Sequence, residues 1–199
     1  MTQLQIVNLA LAHLGMLPIS QVQLNANLHP SAVAANGFWE YCRDEVLGEV
    51  PWSFATTTLA LSTVDVDDLQ YEYVYEYPTL CVGNIWSVFD EGSYQNKEEQ
   101  EFEVKYVPSE SDKCIFTDMQ YAYAEFTYKV TDPEIWSDKF AMAFSYRLAS
   151  SMALALSADP KKGLQLMDIY NLILSEAKRI GAIEKIKKPN RKSNYIDSR

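Results

Sequence analysis

Arg43-Asp44-Glu45-Val46-Leu47-Gly48-Glu49-Val50-Pro51-Trp52-Ser53-Phe54-Ala55 is the stretch in which one kind of chain gives way to another. Before it, apolar residues recur every three or four positions; after it, they alternate. Pro51 holds Val50 out of the helical region and ends the helix. Trp52 and Phe54 supply large apolar anchors for the first strand. Reading backwards, the spacing predicts a helix over Ser31–Gly48. Ser31 follows Pro30 and suits an N-cap. Ala35, Phe38, Trp39, Cys42, Val46 and Val50 form its buried face, while Glu40, Arg43, Asp44 and Glu49 turn mostly to solvent. A shorter amphipathic helix is predicted over Thr2–Leu14, with Leu4, Val7, Leu11 and Leu14 in register, Thr2 as cap and Gly15 as terminator. Met16–Pro30 reads as a connection.

Reading forwards, Phe54–Ser62 is strand-like, and Val64–Asp68 is an acidic loop. In Tyr71–Tyr77 four tyrosines (71, 73, 75 and 77) share one face, with Glu72, Val74 and Glu76 on the other. Leu80–Phe89, Phe102–Tyr106, Lys113–Phe116 and Tyr121–Val130 are further strand candidates, and Glu91-Gly92-Ser93 is a turn signal. Helix is expected again from Pro133, with Asp132 as cap. There Trp136, Phe140, Phe144, Leu148, Met152 and Ala155 form the stripe of a central helix. Ala158-Asp159-Pro160 breaks the chain, and a fourth helix carries Leu166, Met167, Tyr170, Ile173, Leu174, Ala177 and Ile180, with Gly181 expected to end or fray it.

The implied fold is α+β: a four-helix core, two helices N-terminal and two C-terminal, with an inserted antiparallel β-sheet and a basic C-terminal tail. Residues 1–182 form a single domain, helical over 1–50 and 132–182 and β-rich over 53–130. Residues 183–199 are a basic extension. Charge follows the same division. The net is −10, but from Lys178 onward eight Lys or Arg face two acids, a net of +6, which leaves −16 on residues 1–177.

Composition excludes several classes. Seven scattered Gly make no phosphate cradle. Three widely spaced cysteines, Cys42, Cys81 and Cys114, have no Cys-x-x-Cys spacing and read as reduced thiols. The opening Met-Thr-Gln-Leu-Gln lacks the basic region of a signal peptide. Phe140–Ala158 is apolar, yet it contains Arg147 and reads as a core helix rather than a membrane span. Neither His13 nor His29 accompanies a recognisable nucleophile motif, so no catalytic residue is assigned. Asp65, Asp67 and Asp68 read as a solvated turn, since the Gly and Glu of a calcium loop are out of register. Glu98, Glu99, Glu101 and Glu103 read as a solvated face. No metal or cofactor is expected. The tyrosine stripes have three readings: core, subunit interface, or a platform for a ligand such as a carbohydrate. The tail residues Lys185, Lys187, Lys188, Arg191, Lys192, Tyr195 and Arg199 fit DNA phosphates, an acidic partner, or mere solubility. Interleaved Ile186, Pro189, Tyr195 and Ile196 favour docking on protein.

Several strings resemble one family. Ile6-Val7-Asn8-Leu9-Ala10-Leu11 with Leu14-Gly15 and Ile19-Ser20, then Arg43-Asp44-Glu45-Val46-Leu47 followed by Pro51-Trp52-Ser53-Phe54-Ala55, are similar to the tail tubular protein A family of T7-like phages and the related head-completion adaptors of P22-like phages. Tyr77-Pro78-x-x-Cys81 and Asp132-Pro133-x-x-Trp136, with Phe140, Ala143, Leu148-Ala149 and Ala153-Leu154-Ala155, continue the resemblance over most of Thr2–Ala182. The Tyr/Glu-rich strands and the basic tail depart from it. The resemblance implies a non-enzymatic virion protein at the head–tail junction. It would form a homo-oligomeric ring, a dodecamer, beneath the portal protein, extend the DNA channel without binding DNA specifically, and dock the tail nozzle or further tail proteins. On this reading Pro51, Trp52, Phe54, Trp136 and Phe140 anchor the fold and the basic tail clasps the portal or a tail protein. The alternative is a binding module that uses the Tyr-rich strands.

Overall fold

The computed structural model describes residues 1–90, 101–110, 112–157 and 159–185. Glu91-Gly92-Ser93, Glu98, Glu99 and the tail beyond Lys185 lie outside these residues. The architecture is mixed: five helices and two three-stranded antiparallel sheets among the described residues.

Helix α1 (Gln3–Leu14) has the ends its sequence predicts. Thr2 and Gln5 form a reciprocal capping box, and Gly15 adopts the left-handed conformation (φ 73°) that closes the last turn. The connection expected over Met16–Pro30 instead contains a short helix, α2 (Gln21–Ala26), opened by a second capping box between Ser20 and Gln23. Helix α3 (Pro30–Glu49) starts one position earlier than its expected cap. Pro30 already has the φ of a first helical residue, so His29 becomes the cap and its Nδ1 accepts from the Ser31 N–H at 3.2 Å. Helix α4 (Asp138–Ser157) does not begin at Pro133. Asp132 accepts from the Glu134 N–H at 2.9 Å and closes only a turn, and Ser137 takes the capping role by accepting from Phe140 N–H. Ala155, expected in the buried stripe of α4, is exposed. Helix α5 (Pro160–Lys185) runs through Gly181, which neither ends nor breaks it.

The helices share one hydrophobic cluster. α4 packs against α1, α3 and α5, which explains why its sequence is apolar almost all round.

The single inserted sheet is corrected to two. Strands β1 (Thr56–Ala60), β6 (Ala122–Tyr128) and β3 (Cys81–Asp90) form one in the order β1-β6-β3, while β2 (Tyr73–Glu76), β5 (Asp112–Thr117) and β4 (Glu103–Val107) form the other in the order β2-β5-β4. The two share a core of Ile85, Val88, Ala124 and Phe126 from the first with Tyr75 and Ile115 from the second. The opposite face of the second sheet carries its own cluster, in which Val74, Cys114 and Phe116 meet Val64, Val66 and Tyr71. The second sheet therefore packs on both faces. Tyr73, Tyr75 and Tyr77 line the shared core, but Tyr71 does not join them. Asp68 accepts from the N–H groups of Gln70 and Tyr71 at 2.8 and 3.2 Å and turns the chain before β2 starts.

The helical layer meets the first sheet where Gly48 of α3 lies against Gly83 of β3, backbone on backbone.

Candidate functional site

The junction between the helices and the first sheet is built by the 43–55 stretch. Trp52 donates its indole N–H to Val46 O at 2.8 Å, satisfying one of the last carbonyls of α3. Its ring meets Phe140 edge-on at 5.1 Å, and Phe54 meets the same ring at 5.1 Å. Trp136 stands 4.8 Å from Phe140 and 5.7 Å from Trp39, and donates to Val130 O at 3.2 Å. Thus Trp52, Phe54, Trp136 and Phe140, far apart in sequence, form one aromatic knot. Pro51 sits at its entrance, half-buried.

Beside the knot runs a charged network that the helical period did not reveal. Arg43, expected at the surface, is only 3 % exposed. Its Nε is paired with Asp44 Oδ1 at 2.7 Å, and Asp44 Oδ2 is paired with Lys129, just beyond β6, at 2.9 Å. Burial pushes the Asp44 carboxyl up, but Arg43 and Lys129 outweigh it and hold the group below the usual carboxylate range. Asp44 therefore ties α3 to the first sheet as an anion.

A second pair lies between helices. Arg147 Nη2 of α4 is 2.7 Å from Glu45 Oε2 of α3, an ion pair between the two helices. Ser151 Oγ lies 3.4 Å from Cys42 Sγ and accepts from Arg147 Nη1. Burial pushes the Cys42 thiol up, away from the thiolate a nucleophile needs. The buried Tyr170 phenol of α5 is pushed up by desolvation, with Glu45 and Glu49 adding to it. The arrangement ties α3 to α4, and burial raises both the Cys42 thiol and the Tyr170 phenol, the opposite of nucleophile activation.

His13 and Ser145 are brought together across α1 and α4, with Nε2 and Oγ 3.1 Å apart and the imidazole stacked 3.9 Å over Tyr146. The single hydroxyl hydrogen of Ser145 goes to Met142 O at 2.7 Å, so the imidazole N–H is the donor and the serine is not activated. Burial lowers the His13 pKa from the usual 6.5. A histidine whose folded pKa is depressed contributes stability at neutral pH and loses it as pH falls from about 6.5 toward the folded value. The stability difference between the wild type and His13→Gln, which keeps a donor but does not titrate, is therefore expected to shrink on going from pH 7.5 to pH 5 in paired thermal melts.

Of the tail residues, Lys185 is the last residue of α5, while Lys187, Lys188, Arg191, Lys192, Tyr195 and Arg199 lie outside the described residues. The tyrosines divide between roles. Tyr75 is buried and donates to Met119 O at 2.6 Å, whereas Tyr121 is exposed beside an open cleft of about 410 Å³ lined also by Leu61, Ser62, Tyr75 and Tyr123. Among the described residues no group of three His, Cys, Asp or Glu is placed to hold a metal, and no helix is long and apolar enough to cross a membrane. The three cysteines are free thiols. No protein-family model matches the chain, and no curated protein matches it.

Proposed function

We propose that the chain is a structural subunit of the connector ring between head and tail of a short-tailed phage, placed beneath the portal in the virion. On this reading α1, α3, α4 and α5 are the four-helix core, the basic tail clasps the portal or a tail protein, and the ring, a dodecamer, extends the DNA channel. The protein acts by assembly, not by catalysis.

The observation that carries this reading is the outer face of α5. Leu164 and Leu172 are 68 % and 71 % exposed there, with Ile169 partly so beside them. The helix buries Leu166, Tyr170, Leu174 and Ala177 on its inner face, and its outer face sets Leu164 and Leu172 on either side of the exposed Asp168, apolar groups that a further protein surface would cover. The charge division supports the same reading. DNA must slide through such a ring without adhering, and the −16 carried by residues 1–177 repels phosphates.

A second reading rests on the cleft beside Tyr121, whose size is that of a small-ligand site. It makes the chain a binding module for a carbohydrate or a peptide. Co-sedimentation with a candidate portal protein separates the two. The connector reading predicts that the chain travels with portal rings. A chain that stays behind, and whose tyrosine fluorescence responds to an oligosaccharide, fits the second reading instead.

A further inference from the structure

The two stretches of chain that pass between the sheets lie side by side. Residues 60–63 leave β1 and reach β2, where Thr63 bridges Tyr75, and residues 120–123 lead from β5 into β6. Leu61 N–H donates to Ala122 O at 2.9 Å and ties the two together. The open cleft of about 410 Å³ lies along this crossing. Its size falls within the roughly 300–1,000 Å³ of small-ligand sites.

Asp, Glu, Lys and Arg make up 22 % of the chain, yet none of them lines the cleft. In their place stand three tyrosines, Tyr75, Tyr121 and Tyr123, and the neutral polar residues Ser62, Thr63 and Gln120. Tyr75 is committed, because its hydroxyl donates to Met119 O and pins the chain entering the crossing. The Tyr123 ring lies parallel to that of Phe89, 6.3 Å away. The side chains of Ser62, Thr63, Gln120, Tyr121 and Tyr123 have no hydrogen-bond partner among the described residues. Each of them both donates and accepts.

This lining selects among ligand classes. A charged ligand would enter without a counter-charge, and an apolar one would desolvate the neutral polar side chains without pairing them. An extended peptide is held chiefly by the main chain of a free strand edge. Here Leu61 N–H, Ala122 O and Ser62 O already belong to the protein's own ladder, the last accepting from Glu76 N–H at 2.9 Å, so recognition falls to side chains. Tyr121, 70 % exposed, presents a flat apolar ring with a hydroxyl at its rim. A pyranose matches both features: its ring face is C–H, and its rim carries hydroxyls that donate and accept.

We propose that this cleft binds a neutral oligosaccharide, with a pyranose stacked on Tyr121 and its hydroxyls bonded to Ser62, Thr63 and Gln120. The proposal rests on the binding-module reading of the cleft, whose ligand class it fixes, and it requires nothing of the connector reading. The test is saturation-transfer NMR on the full-length chain. Maltotriose, cellotriose and mannotriose are the neutral probes, trigalacturonate the anionic one and capped trialanine the peptide. Each is used at about 10 mM, where a site with a dissociation constant of about 1 mM is mostly filled. At least one neutral trisaccharide is expected to receive saturation, strongest at the C–H protons of one ring. Tyr121→Ala should weaken that binding roughly tenfold, and Tyr121→Phe, which keeps the ring, should weaken it much less. Because Tyr121 is exposed, both variants are expected to melt as the wild type does. No transfer to any neutral trisaccharide, or trigalacturonate bound as tightly as the best of them, overturns the proposal. Sugar binding that survives Tyr121→Ala does the same. Trialanine bound without any sugar, and lost in Tyr121→Ala, overturns the sugar and leaves the binding-module reading standing. No binding of any probe contradicts both.

Discussion

Phe140→Ala is expected to lower the unfolding free energy by about 4 kcal/mol, within the range for truncating a fully buried aromatic residue. Phe140 has no exposed surface, and its ring touches those of Trp52, Phe54, Trp136 and Phe144. Removing it leaves a void that four large, mutually braced rings cannot close by small shifts. The two indole hydrogen bonds, to Val46 O and Val130 O, lose the packing that aims them. Because the knot joins the 43–55 stretch to α4, the loss is felt by helices and sheet together. Urea denaturation followed by tryptophan fluorescence should show one transition at a lower midpoint. A loss under about 1 kcal/mol would mean that the rings are not close-packed.

The second large effect comes from a residue with no side chain. Gly83→Ala is expected to cost about 3 kcal/mol, the sum of two separate penalties. Gly83 has φ 78°, where an L side chain is strained by about 1 kcal/mol or more. Its new Cβ would also stand 2.6 Å from Gly48 Cα and 2.9 Å from Gly48 O, both backbone atoms that cannot rotate away. Gly48→Ala meets Gly83 Cα at 3.0 Å without the φ penalty and should cost distinctly less. Thermal melting of the two variants tests this order, in which both the tighter contact and the φ penalty fall on Gly83. Equal losses would contradict the assignment of a left-handed backbone at Gly83.

Much of this was legible in residue order. Thr2 and Gly15 predicted both ends of α1, and the Pro51 boundary located the change from helix to strand. Other features depend on contacts that are distant in sequence. Arg43 lies at a polar position of its helix, and the chain Arg43–Asp44–Lys129, which reaches it from beyond β6, has no signature in the helical period. His13 and Ser145 are 132 positions apart, so no local pattern could pair them. The alternation in Tyr71–Tyr77 gave the strand, but periodicity cannot tell one sheet from two, since both faces of β2 are buried. One signal was present in the residues that the apolar pattern did not carry: Ser20-x-x-Gln23 marks α2, too short to show a helical period.

The central claim is that the chain works as a ring on the portal. Negative-stain electron microscopy of the purified full-length chain, alone and mixed with a candidate portal protein, addresses that claim most directly. The account predicts closed rings, or a new collar on the portal that is absent when the chain is omitted. Monomers that leave the portal rings unchanged at a saturating excess would contradict it.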